Sequence, residues 1–264
     1  MEFEQELDVA VTAAERAAEV MARYRREGFE VERKTSYTDL VTEADRECQE
    51  VIVETIQEEF PGDGFLGEED GLRPDGEDRV WVIDPIDGTT NFAHGFPWYC
   101  SSIGLRVDGE RTVGVVNVPP QDELFTAVRG EGAFMNGEPI SPSGVKDIRD
   151  GLIVARIADW SGVEGDLKGL ESRLLNDLLS TPTSFRRPGA AAVDLCNVAA
   201  GRVDGQLLVV INEWDVAAGA LVLEEAGGTA RIQDAVFDDY IEIVSSNGHI
   251  QDELEEVFDR HVRG

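Results

Sequence analysis

Lysine is nearly missing from this chain. Of 264 residues, 23 are Lys or Arg, and only Lys34, Lys146 and Lys168 are lysines. Against them stand 54 Asp and Glu, for a formal net charge of −31. A surface of that sign repels phosphate backbones and anionic lipid, which argues against nucleic-acid and membrane-surface partners. The acid is dispersed among apolar residues that make up 42% of the chain, so it does not form a disordered acidic tail. So much acid with so little lysine suggests a solution of high salt, where screening removes the self-repulsion. Cysteine is scarce too: Cys48, Cys100 and Cys196 are odd in number, far apart and without a CxxC, which argues against a disulfide framework and a zinc site. His94, His249 and His261 are scattered away from the acidic motifs. No apolar run approaches a membrane span, and Met1-Glu-Phe-Glu-Gln-Glu lacks the apolar stretch of a signal peptide. These absences describe a protein of a reducing cytoplasm. No Pro, Gly or Ser-rich linker and no internal repeat interrupts the chain, so one continuous unit over 1–264 is expected, with an α+β half over about 1–145 and an α/β half over 146–264.

What the chain does have is periodicity. Phe3, Leu7, Ala10, Val11, Ala14, Ala17, Ala18 and Met21 recur at helical spacing and predict a helix over 3–25. The polar stretch 34–38 reads as a loop. Thr42, with Asp45 three residues on, opens a second helix whose buried stripe is Cys48, Val51, Ile52 and Ile56, and Pro61-Gly62 ends it. Short β-prone segments follow at 80–83, 101–107, 112–118 and 124–128, then the turn signal Asn136-Gly137. The second half alternates: a strand at 152–155, helices at 167–179 and 190–200, a strand at 203–210, a helix at 215–226, two strands and a terminal helix. Mixed sheets layered with helices, an α/β architecture, are expected.

One stretch carries chemistry. In Trp81-Val-Ile-Asp84-Pro-Ile-Asp87-Gly-Thr-Thr-Asn91-Phe92, two carboxylates lie three residues apart. The strand is expected to end at Asp84, Pro85 fixes the next φ, and Asp87-Gly88 lie where a helix would start. Two carboxylates converging on one side of such a turn are costly unless a cation sits between them, and Mg²⁺ prefers such oxygen ligands. Phe65-Leu-Gly-Glu68-Glu69-Asp70 ends another apolar segment in acid, and Trp214-Asp215 stands at the expected start of a helix. Glu68, Asp84, Asp87 and Asp215 together could hold paired cations of the kind that serve phosphoryl transfer. Taken singly, each is also an ordinary turn former, a solvated loop or an N-cap. Trp81 and Trp214 read as packing residues, and Cys100 and Cys196 as core.

These motifs resemble the inositol monophosphatase family, within the superfamily that includes fructose-1,6-bisphosphatases and 3′(2′)-nucleotidases. The resemblance rests on Asp39-Leu-Val-Thr-Glu-Ala-Asp45, Gly67-Glu68-Glu69, the segment from Trp81 to Phe92, Trp214-Asp215-Val-Ala-Ala-Gly219 and Glu225-Ala-Gly-Gly228. It implies a layered α/β/α/β/α sandwich, a homodimer, and a Mg²⁺-dependent phosphomonoesterase with two or three cations per site, inhibited by lithium. Glu68, Asp84, the Ile86 carbonyl, Asp87 and Asp215 resemble the metal ligands. Asp45 and Thr89 resemble the pair that orients the nucleophilic water, a role Glu68 shares. The implied reaction is in-line attack of metal-activated water without a phosphoenzyme. Asp87 and the Gly88 and Thr89 amides would meet the substrate phosphate, and Lys34 matches a lysine on the family's mobile loop.

The substrate is less defined. A glutamate expected six residues before Trp214 in enzymes that prefer cyclitols is Leu208 here, which removes a hydroxyl acceptor. Arg186 and Arg187 precede Pro188-Gly-Ala-Ala191, the segment that resembles the family's substrate-facing helix start, and Arg186 is a candidate for a second phosphate. This favours the dual-specificity archaeal type, acting on fructose 1,6-bisphosphate, inositol 1-phosphate or both. A 3′(2′),5′-bisphosphate nucleotidase and a non-catalytic Mg²⁺-binding scaffold are the alternatives.

Overall fold

The computed structural model describes residues 2–29, 31–33, 40–69, 72, 78–157, 167–181, 183–235 and 240–263. The first helix, α1 (Glu4–Glu27), follows the predicted stripe, and Ala10, Ala13, Ala14 and Ala17 are completely buried on it. Residues this small let the second helix approach closely. A short hairpin of β1 (Val31–Arg33) and β2 (Leu40–Thr42) leads into that helix, α2 (Glu43–Glu59), whose Cys48, Ile52 and Ile56 face α1. The polar loop expected at 34–38 lies outside the described residues.

Next come β3 (Gly64–Gly67), β4 (Arg79–Asp87), the short helix α3 (Thr89–His94), β5 (Cys100–Val107), β6 (Glu110–Val118), β7 (Glu123–Val128), β8 (Gly132–Met135) and β9 (Glu138–Pro139). The strands form one sheet in that order, with β3 parallel to β4 and every later pair antiparallel. Asn136 and Gly137, both at positive φ, make the predicted turn between β8 and β9. The second half supplies β10 (Leu152–Ile157), α4 (Leu167–Ser180), β11 (Ser184–Arg186), α5 (Ala191–Ala199), β12 (Gly205–Ile211), α6 (Ala217–Glu225), β13 (Thr229–Asp234), β14 (Ile241–Ser246) and α7 (Gln251–Val262). Its sheet runs β11-β10-β12-β14-β13, parallel across β11-β10-β12 and antiparallel beyond.

Layering follows from which faces are apolar. Trp81 and Ile83 of β4, with Ile103 and Leu105 of β5, turn toward α1 and α2. Val116, Val118 and Phe125 turn the other way, onto α5 and α6, which carry no polar face: α5 is buried throughout. The inner face of the second sheet, through Val154, Leu208 and Ile243, covers those helices from the other side. Its outer face, through Ile153, Leu207 and Val244, packs on α4 and α7. The result is the α/β/α/β/α sandwich that the resemblance implies. Gly114 shows how close the middle contact is: a Cβ there would stand 2.8 Å from the Ala218 carbonyl of α6.

Two boundaries correct the sequence reading. β4 does not end at Asp84 but continues through Pro85 to Asp87, with a register shift against β5 between Asp84 and Asp87. Pro85 lacks an N–H and is accommodated where the ladder is already broken. The helix expected from Asp215 begins instead at Ala217, after a 3₁₀ turn over Glu213–Asp215.

Candidate metal centre and active site

Strand alternation brings the acid together. Val80 and Val82 face α6, where they pack against Ala217, while Trp81 and Ile83 face α1 and α2. Asp84, two residues beyond Val82, therefore points into the middle layer, toward the turn that precedes Ala217. Asp215 closes that turn. The Asn212 amide donates to its Oδ2 at 2.7 Å, which fixes the carboxylate within a capping box. The register shift after Asp84 returns Asp87 to the same region, where its Oδ2 accepts the Ala192 amide at 2.7 Å from the first turn of α5. One ligand oxygen from each of Asp84, Asp87 and Asp215 then lies within 4.8 Å of the others, and all three residues are buried.

Such a group is unstable as three bare charges. Burial first, then the charges of Glu68, Asp87, Asp215 and Asp45, push Asp84 well above the usual carboxylate range. Burial and Asp215 raise Asp87 to about 7, against the opposing pull of the Ala192 amide, Arg156 and the Ala191 amide. Burial also raises Asp215, although Arg156 and the Asn212 amide act the other way. Asp84 Oδ1 is buried with no hydrogen-bond partner among the described residues. An orphaned oxygen amid gathered carboxylates is the donor set a hard divalent cation requires, and the residues fit one.

Other predicted residues arrange themselves around this group. Glu68, just after β3, stands outside the compact trio, yet its charge bears on Asp84, Asp215 and Arg156. Asp45 is fully buried in the first turn of α2. Thr89 Oγ1 lies 3.0 Å from Asp45 Oδ1 and 3.0 Å from the Ile86 carbonyl, so its single proton serves one of them while a lone pair stays available. Gly88 takes φ +90°, and a Cβ on it would meet the Trp98 carbonyl at 2.9 Å. Ala191 is buried, and its amide, like that of Ala192, bears on Asp87. Arg186 is exposed: Nη1 donates to Ser184 Oγ at 2.6 Å and to the Phe185 carbonyl at 3.0 Å, and among the described residues it makes no contact with the carboxylates. Lys34 lies outside the described residues.

Two side chains that sequence reasoning passed over complete the site. Asn91 Nδ2 donates to the Trp98 carbonyl at 2.7 Å and the Pro188 carbonyl at 2.9 Å, which ties α3 to the turn before α5. Asn91→Ala should leave both carbonyls unpaired and cost about 2 kcal/mol, read as a lower urea midpoint at unchanged slope; a midpoint within error of wild type would contradict this. Arg156 on β10 places Nη1 3.8 Å from Asp215 Oδ1. In the sequence it is one charge in an apolar strand, but it shares the inward parity of Val154, and that was its available signal.

Comparison with known proteins agrees with the fold. The model of the inositol monophosphatase family matches residues 2–254. Inositol monophosphatase 3 of Solanum lycopersicum is 43% identical over 236 residues, 85% of each chain. The Nus factor SuhB of Pasteurella multocida is 40% identical over 225 residues, 84% of this chain and 83% of that one. The solved extragenic suppressor protein suhB of Bartonella henselae matches with a TM-score of 0.88 at 33% identity, over 97% of this chain and 99% of that chain. An IMPase of Thermotoga maritima matches at 0.87 and 32%, over 98% of both.

Proposed function

The chain belongs to the inositol monophosphatase family and is a phosphatase, and from that premise we propose a Mg²⁺-dependent phosphomonoesterase acting on a small sugar or cyclitol phosphate. Fructose 1,6-bisphosphate and inositol 1-phosphate are the candidate substrates. The observation that carries the reading is the buried trio Asp84, Asp87 and Asp215 with its unpartnered oxygen. These residues, with Glu68 and the Ile86 carbonyl, would hold two or three Mg²⁺ ions. The cations would supply charge neutralisation at the phosphoryl oxygens and a water made acidic enough to attack at neutral pH.

The chain's own groups have separate tasks. Asp45, accepting from Thr89 Oγ1, holds that hydroxyl so that it accepts a proton from water and passes its own to the carboxylate. Glu68, whose charge bears on Asp84 and Asp215, would share in holding that water. The Gly88 and Thr89 amides open α3 beside Asp87 and would meet the phosphate, with Arg186 and Ala191 as further candidate substrate contacts; Lys34, a candidate by the resemblance, lies outside the described residues. The chain acts as a cytoplasmic homodimer. Its charge of −31 sets it against RNA, although relatives bear the name Nus factor.

Phosphate release from fructose 1,6-bisphosphate, inositol 1-phosphate and 3′-phosphoadenosine 5′-phosphate tests the reading. A rate on either of the first two, abolished by EDTA and lowered by Li⁺, is expected; no turnover of any ester with Mg²⁺ or Mn²⁺ would overturn it. Activity and Tm should also rise together from about 0.1 M to about 2 M KCl as the acidic surface is screened. Equal stability in dilute buffer would remove the high-salt reading and leave the phosphatase standing.

A further inference from the structure

The remaining basic group of the site is Arg156. Ile153 and Ala155 lie in the outer core and Val154 in the central one, so alternation sends Arg156 inward at the C-terminal end of β10. Ligands of parallel strands bind at such ends. The guanidinium is held differently from the other part-buried arginines. Arg79 donates to Asp63 at 2.9 Å and Glu6 at 3.0 Å, and Arg202 places both terminal nitrogens on Glu123. Among the described residues Arg156 has one ion-pair partner, Asp215 at 3.8 Å, too long for a hydrogen bond. Among the described residues it donates no hydrogen bond, and its side chain is 30% exposed. Its five N–H donors, in fork geometry, thus meet no acceptor among the described residues at the edge of the site.

Its surroundings narrow what the fork can take. In register beside it on β12 stands Leu208, fully buried, which offers no acceptor for a substrate hydroxyl. On the other side β11 pairs Arg186 with Val154, two residues short of Arg156, and Arg186 is turned to Ser184. A cation beside Asp215 also repels the divalent ions that the carboxylates would hold, so its presence costs metal affinity unless an anion sits on it. The scissile phosphate would be met by the cations that Asp84, Asp87 and Asp215 would hold. We propose that Arg156 is a specificity-determining residue that binds a second phosphate of the substrate, so that the enzyme prefers small sugar bisphosphates to polyol monophosphates, which lack that second charged group. This rests on the phosphatase reading above, and it moves the second-phosphate role from Arg186 to Arg156.

The test compares wild type, Arg156→Met and Arg156→Lys on fructose 1,6-bisphosphate and inositol 1-phosphate with Mg²⁺. In Arg156→Met the ratio of kcat/KM values, bisphosphate over monophosphate, should fall about 30-fold, with the loss in KM rather than kcat. Arg156→Lys, which keeps the charge without the fork, should fall between the two. It also serves as the informative variant if the methionine form does not fold. Calorimetric binding of fructose 1,6-bisphosphate with Ca²⁺ in place of Mg²⁺ should weaken by a similar factor. Equal losses on both esters would mean that Arg156 acts on the shared phosphate or through Asp215, and would overturn the proposal, as would an unchanged ratio. A wild-type protein inert toward both esters would overturn the phosphatase reading instead. The calorimetric comparison then judges Arg156 by itself: equal dissociation constants in wild type and variant would reject it.

Discussion

In EDTA at about pH 8, Asp84→Asn should melt about 5 °C higher than the wild-type chain while its phosphatase activity in Mg²⁺ falls about a thousand-fold. The two effects have one origin. Asp84 is buried, it is pushed well above the usual carboxylate range by burial and by Glu68, Asp87 and Asp215, and its Oδ1 has no partner among the described residues. Without a cation its charge only destabilises the fold, and an amide of the same shape removes it. On the proposed reading the same charge becomes a ligand when a cation binds, and its loss would remove a bond on which catalysis depends. The sign of the pH dependence follows. A carboxyl raised from 3.8 to about 7 by folding, as Asp87 is, leaves the fold most stable below the unfolded value and loses that stability as pH rises toward 7. The metal-free wild type should therefore melt lower at about pH 8 than at about pH 5.5, Asp84→Asn should show a shallower fall, and saturating Mg²⁺ should flatten the wild-type curve. Calorimetry in EDTA decides it: a variant less stable than wild type would show that the carboxylates are not in conflict.

Gly88→Ala should lower kcat/KM about a hundred-fold and Tm by about 8 °C. Gly88 has φ +90° and caps α3; its added methyl would stand 2.9 Å from the Trp98 carbonyl and 3.2 Å from Ala190 Cβ. The Trp98 carbonyl is backbone already held by Asn91 Nδ2 at 2.7 Å, so relief of the clash falls on Gly88 itself, which joins Asp87 to Thr89. Gly109→Ala isolates the backbone part of the effect, since Gly109 has φ +83° but nothing within 4 Å of a Cβ. That variant should lose about 1 kcal/mol and keep its activity. If the two variants behave alike, crowding at Gly88 is not what positions the site.

How far the sequence could be read depended on how local each signal was. The stripe of α1 and the Asn136-Gly137 turn are fixed by neighbours within a few positions, and both lie where periodicity and turn chemistry put them. The course of β4 was misjudged because Pro85 reads locally as a terminator, whereas the ladder that tolerates it depends on the offset between Asp84 and Asp87 against β5. Asp215 was misplaced by two positions for a similar reason: the 3₁₀ turn is held by an amide at Asn212 that only the folded loop presents. At the site, acid repeated at several element ends pointed to the trio, because each acid alone is an ordinary turn or cap residue but their coincidence is not. Arg156 gave only the weak signal of its parity with Val154, because its meaning comes from Leu208, its β12 register partner, and Asp215, both more than fifty positions away. The layered order needed the whole topology, and only the resemblance supplied it in advance.

The three buried cysteines give this molecule its own clock. Cys48 sits between α1 and α2, with its thiol directed at the Ala17 carbonyl 3.5 Å away. Cys100 and Cys196 sit in the middle layer between the sheets. Burial raises all three thiols, so in the folded protein they should resist any reagent that needs a thiolate. Labelling then proceeds only when a layer opens, and its rate reports that opening. If the outer helical layer frays before the middle one separates, Cys48 will react first and the other pair will follow together; if the molecule opens as one unit, all three will be modified at a single rate.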